Sequence, residues 1–222
     1  MLGAAVTAAL HVGYQLVLQR GYAEGDLNVV YPLARGSGPL LTFVVAVAVL
    51  GQRPGAVAAA GVMAVVAGVL LIALGRGQHG VRAGVAWGLL TGATIASYTL
   101  WDNFSVNHLE VPPLPYFVLG SVLQLPWLAL LLAGRRGPQA VREVWPANRG
   151  PILTVGVLSP LAYVLVLRAL QLAPVALVAP ARETSIVVGA LFGWLVLREP
   201  RPARRLMGAV VVLAGIALIA VG

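Results

Sequence analysis

Few residues in this chain can do chemistry, and most of them sit inside long apolar stretches. Arg35 and Arg182 are the first two, with Glu183 beside the second. If such stretches cross a bilayer, each ionisable side chain costs roughly 2.5–3.5 kcal/mol on insertion scales and so needs a partner or a function. An arginine near a span end can snorkel to the headgroups or pair structurally; deeper, it can contact a substrate or gate an ion. Neighbours on a helix point about 100° apart, so Glu183 is expected to reach Arg35 or another helix rather than Arg182. It would then neutralise an arginine or carry a coupling proton. Asp102 shares a helix face with Tyr98, one turn earlier. That pair suits a cationic or hydroxylated substrate or a proton relay, while a polar residue near a helix end is also ordinary. His11 and Gln15 are one turn apart, with Tyr14 between them, and either face a cavity or pack. Tyr31, at the start of the Arg35 span, completes the candidate pathway. No metal-ligand spacing, Ser/His/Asp motif or phosphate-cradling glycine loop occurs, and there is no cysteine. The expectation is a non-enzyme without cofactor or metal.

The elements that must position these residues follow from composition. Hydrophobic residues make up 59% of the 222, charged residues 10%, and mean hydropathy is +0.91. A span needs about 20 mostly apolar residues to cross roughly 30 Å of hydrocarbon. Eight segments qualify: 2–20, 29–50, 55–75, 83–105, 113–133, 151–171, 175–197 and 204–222. The first reads as a mature helix, because it lacks a basic start and a small-residue cleavage site. Between spans only 134–150 is longer than a turn, and it carries Arg135, Arg136, Arg142 and Arg149. A polytopic all-α transmembrane bundle is the class that satisfies the backbone hydrogen bonds of so much apolar sequence. The formal charge of +8 is carried largely by loop arginines, which suits membrane lipids and gives no nucleic acid a docking domain.

The chain also repeats itself. Residues 34–75 align without a gap onto 181–222, at a constant offset of 147, with 13 identities in 42 positions. Composition alone would give roughly five. Arg35 falls on Arg182, Gly61 on Gly208 and Gly68 on Gly215. The copies begin in the second and seventh spans, and an odd shift makes them cross in opposite directions. The prediction is an inverted-topology repeat, the architecture on which alternating access is commonly built.

The run Tyr31-Pro32-Leu33-Ala34-Arg35-Gly36 resembles the EamA-domain members of the drug/metabolite transporter superfamily, as do Arg182-Glu183-Thr184-Ser185 and Tyr98-Thr99-Leu100-Trp101-Asp102. The turns Leu50-Gly51-Gln52-Arg53 and Leu197-Arg198-Glu199-Pro200 fit the same pattern. The resemblance implies helices three to ten of a ten-helix fold, with the first two absent. It divides the chain into an incomplete first repeat, 1–75, and a second, 83–222. It further implies a secondary carrier in the cell (inner) membrane, moving a small metabolite or drug-like solute. The alternatives are a truncated non-transporting protein or interaction subunit, and a lipid-headgroup flippase of the same superfamily.

Local signals complete the reading. Pro32 and Pro180 each stand two or three residues before an arginine, and either interrupt a helix or occupy its first turn. Gly88/Gly92 and Gly189/Gly193 give small-xxx-small spacings for tight packing, within the chain or in a homodimer. Loops after odd-numbered spans hold 11 arginines, against Arg53 and Arg168 on the other side. The positive-inside rule then puts both termini outside; the family resemblance implies a C-terminus inside.

Overall fold

A computed structural model describes residues 1–25, 27–73, 81–133, 137–185, 187–188 and 202–222. Among them the regular structure is helical: α1 (Leu2–Glu24), α2 (Leu27–Ala48), α3 (Ala56–Ala73), α4 (Val81–Asn107), α5 (Pro113–Ala133), α6 (Gly137–Leu172), α7 (Val175–Ala181) and α8 (Pro202–Val221). Each of the eight expected spans overlaps one of these helices, and residues 186 and 189–197 of the seventh lie outside the described residues. Four of them, α1, α2, α5 and α6, are long and apolar enough to cross a membrane, and the apolar runs of α3 and α8 are shorter. At 27 residues α4 rises about 40 Å, and it carries much of the polar chemistry.

Two expectations need correction. The basic segment 134–150 is helical from Gly137 onward, so α6 runs 36 residues, about 54 Å, despite Pro146, Pro151 and Pro160. A 14-residue polar stretch satisfies its backbone groups by continuing the helix that follows it. The prolines Pro32 and Pro180 are also not in the first turn; each is the sixth residue of its helix. The chain stays helical past Pro32, whereas α7 stops one residue after Pro180. Gly189 and Gly193 lie outside the described residues.

The helices form two compact units, neither of them continuous in sequence. One comprises Met1–Val12 and Trp101–Leu172; the other comprises Gly13–Leu100 and Ala173–Gly222. In the first, side chains tie helix ends together. Trp101 Nε1 donates to the Gly3 carbonyl (2.9 Å), and Asn107 Nδ2 donates to Asn103 Oδ1 (3.0 Å) and the Leu170 carbonyl (2.8 Å). Around them α5 and α6 turn large apolar side chains outward, among them Trp127, Leu130, Leu153, Val155 and Val157. Such a continuous apolar surface suits lipid rather than water.

In the second unit the core comprises Val62, Val65, Val69, Val187, Ala209, Val212 and Ile219. Its centre is the α3–α8 pair, held by backbone proximity rather than by large side chains. A β-carbon on Gly61 would stand 2.6 Å from the Gly215 carbonyl oxygen, one on Gly215 2.7 Å from that of Gly61, and one on Gly68 2.8 Å from that of Gly208. Gly55 lies against Gly222 in the same way, so the helices run antiparallel. They are also repeat mates. Moving each residue by the offset of 147 exchanges the Gly61–Gly215 contact with the Gly208–Gly68 contact, as a pseudo-two-fold axis requires. Close approach of this kind yields dispersion contacts, the main source of helix association where lipid is as apolar as leucine.

Helices α2 and α7 are likewise antiparallel, with Arg35 beside Glu183 and Gln52 beside Ala176. The chain leaves α2 through Gly51, whose φ of 65° is left-handed, and the Gln52 amide returns to the Ala46 carbonyl (3.0 Å). That turn aims Gln52 Oε1 at the Ala176 N–H (3.1 Å), one of the first-turn donors of α7 left without an intrahelical acceptor. We expect Gln52→Ala to cost about 1 kcal/mol, read as a lowered unfolding midpoint in detergent, with Gln52→Glu retaining most of the stability. Parallel to α2, α4 packs closely through the first glycine pair: a β-carbon on Gly88 would meet Leu33 at 2.7 Å, and one on Gly92 would overlap the Ser37 side chain. That stripe is helix packing within the chain.

Candidate functional site

The charged residues gather where α7 breaks. Pro180 lacks an N–H, and the Glu183 amide reaches only three residues back, to the Pro180 carbonyl (3.1 Å), so the α-helix gives way to a turn at Arg182–Glu183. Helical residues resume at 184–185 and 187–188. The turn leaves Glu183 only 4% exposed, with Oε1 3.6 Å from Arg35 Nη1 and Oε2 buried without a hydrogen bond. Arg182 takes different neighbours: Thr99 Oγ1 at 3.4 Å from its Nη1, and the Tyr98 ring, 6.0 Å from its Cζ. Arg35 lies over the Tyr31 ring at 5.6 Å, and Tyr14 meets Tyr98 edge-to-face at 5.5 Å. Two guanidiniums, one carboxylate and three phenol rings thus converge within the second unit.

Depth separates the two readings of Arg35. Counting back from Leu50 in sequence puts it about 6 Å below the interface, where snorkelling is easy. The helix begins at Leu27 instead, so Arg35 sits eight residues, about 12 Å, along a 22-residue helix. Near the middle of its helix the guanidinium is held by a buried carboxylate and an aromatic face.

The remaining candidates divide between the units. Tyr98 and Asp102 share a helix face in sequence but fall in different units with different partners. His11 and Gln15 part in the same way, and Gln15 is half-buried. Asp102 is no ordinary end-of-helix residue: it is 2% exposed and surrounded by hydroxyl groups. Thr7 Oγ1 and Tyr116 Oη each donate to its Oδ1 at 2.7 Å, and Tyr163 Oη donates to its Oδ2. The Tyr163 hydroxyl also meets His11 Nε2 at 2.9 Å. Thr7, Tyr116 and Tyr163 escaped the sequence reading. Tyr163 had one signal, a phenol in the middle of an apolar span, whereas Tyr116 and Thr7 look like ordinary residues near helix starts.

Long helices with lipid-suited surfaces, and an arginine paired with a buried carboxylate, define a multi-pass α-helical membrane protein. Residues 82–221 match the EamA-like transporter family. That is well over half of the chain, which therefore belongs to this family of membrane transporters within the drug/metabolite transporter superfamily. No curated protein matches the chain.

Proposed function

We propose that the chain is a secondary carrier that moves a small solute across the cell (inner) membrane by alternating access. Arg35, Arg182, Glu183, Tyr98 and Tyr31 form its substrate or ion pathway. The observation that carries this reading is the α3–α8 pair: repeat mates packed antiparallel, with contacts that exchange under the repeat offset. Halves related in this way can trade conformations, and the trade turns an inward-open state into an outward-open one. The residues at the α7 break support the rest. Interrupted helices are where carriers bind substrate, and α7 is interrupted while its repeat mate α2 runs on. The guanidiniums of Arg35 and Arg182, with aromatic rings beside them, suit a solute with an anionic group and an apolar or aromatic body.

The test is uptake into proteoliposomes, using a radiolabelled panel of anionic, neutral and cationic small metabolites. We expect Arg35→Ala and Arg182→Ala each to abolish uptake of the anionic members while leaving membrane insertion intact. Wild-type flux in both variants would retire the site, and preference for cations would overturn the assigned solute chemistry.

A further inference from the structure

Within the first unit, α5 and α6 meet at one end and stand apart at the other. Where they meet, the Phe117 and Tyr163 rings are 5.6 Å apart, and α6 beyond Pro160 buries Leu167 and Leu170. Toward the other end every residue from 142 to 159 on α6 is exposed, as is every one from 125 to 131 on α5. Eighteen residues make five helical turns, so no face of α6 is covered there. A β-carbon on Gly150 or Gly156 would have nothing within 4 Å. Pro151 lies in this stretch and Pro160 at its end, and a helix bends where proline removes an amide donor. Periodicity tells which face of α6 looks toward α5. Trp145 is five turns from Tyr163, and Arg142, Trp145 and Arg149 share its face at three- and four-residue spacings. On α5, Leu128 and Leu131 are three and four turns from Phe117 and exposed. The two faces bound an open groove with the Phe117–Tyr163 contact as its floor.

We propose that this groove binds one phospholipid with an anionic headgroup, its phosphate held by Arg149 and Arg142 and one acyl chain running down toward Tyr163. The depth fits a chain. From Arg149 to Pro160 is about 16 Å along the helix, one leaflet of a hydrocarbon layer roughly 30 Å thick. Arg149 stands about 21 Å from Tyr163 along α6, and α5 ends at Ala133, about 24 Å from Phe117, so the arginine lies near the height at which α5 stops. Arg142 is two turns further out and exposed, with Trp145 between the two arginines, a residue type that favours the headgroup level. The rim fits an anion. The sequence adds Arg135 and Arg136 between α5 and α6, and against these four arginines the stretch 134–150 holds one acid, Glu143. Glu143 lies about 100° round the helix from Arg142, away from the arginine face. Water in the groove would leave apolar walls hydrated, and a zwitterionic lipid would leave the arginine charge without compensation. An anionic lipid answers both.

The test is native mass spectrometry of the full chain, released from micelles that contain equal amounts of phosphatidylglycerol and phosphatidylcholine. The wild type retains one phosphatidylglycerol in preference to phosphatidylcholine. Replacing both groove arginines, Arg142→Gln with Arg149→Gln, lowers that preference about 25-fold, or about fivefold for each arginine. Arg53→Gln removes an exposed arginine outside the groove and leaves the preference unchanged. Gly156→Phe keeps every charge but fills the groove. With nothing within 4 Å of its β-carbon the helix accepts the ring, and the bound lipid is lost. Glycerol phosphate in excess leaves the wild-type lipid in place, because the chain contributes to binding. Equal retention of the two lipids, a preference that survives the double substitution, or lipid kept by Gly156→Phe would each overturn the site. Displacement by glycerol phosphate would do the same, since it would show a headgroup held without its chain. None of these measurements needs a transported solute, so they stand or fall apart from the carrier reading.

Discussion

Arg35→Met lowers the unfolding free energy by about 3–5 kcal/mol, and adding Glu183→Met to it restores most of the loss. The reason is the asymmetry of buried pairs. Removing one partner strands a charge, whereas removing both leaves an apolar contact that is often neutral or stabilising. The two single variants also differ. Glu183 has a side chain 5% exposed, so without Arg35 its carboxylate stays buried without its ion-pair partner. Arg35 is 35% exposed and keeps the Tyr31 ring, so Glu183→Met costs less, about 1–3 kcal/mol. Reversible unfolding in mixed micelles measures all three. Additive losses in the double variant would show that the two side chains do not act as a pair.

Gly61→Leu and Gly215→Leu form the second large prediction, each destabilising by about 1–3 kcal/mol with the upper end expected. A β-carbon at either position falls inside van der Waals distance of a backbone oxygen, and backbone cannot rotate away as a side-chain tip can. The two substitutions address one crossing from its two sides, so their effects combine to less than their sum. Val210→Leu is the control, since Val210 is exposed on the same helix and the change stays within about 0.5 kcal/mol. Thermal denaturation with a tryptophan-fluorescence readout checks all of them, and a wild-type midpoint in Gly215→Leu would remove the crossing from the fold.

Helix existence was legible in the sequence because lipid leaves the backbone almost no alternative to intrahelical bonding. Helix extent was less so. No long apolar run marks 137–150, yet those residues are helical, because a segment leading into a long helix bonds its own backbone most readily by joining it. The pairing of Glu183 with Arg35 was legible in outline, from the angle between neighbouring helix residues and the scarcity of other partners. The Asp102 site was not. Thr7, His11, Asp102, Tyr116 and Tyr163 come from four helices, and no spacing in the chain relates them. Sequence placed Asp102 with Tyr98 by helical periodicity, but periodicity describes a face and cannot say which neighbouring helix covers each turn of it.

The chain alone determined its class, its family, the duplicated unit and the opposite sense of the two copies, since these depend on composition, identity and the parity of span counts. All are properties of one dimension. Only the tertiary structure decided that the glycines of α3 and α8 meet each other, that α7 breaks at Arg182–Glu183, and that Asp102 lies among hydroxyls rather than at a wet helix end. These depend on which helices become neighbours, and in a membrane that choice turns on close backbone approach and a few hydrogen bonds. Hydrophobic pattern marks every helix as apolar, and so cannot rank one neighbour above another.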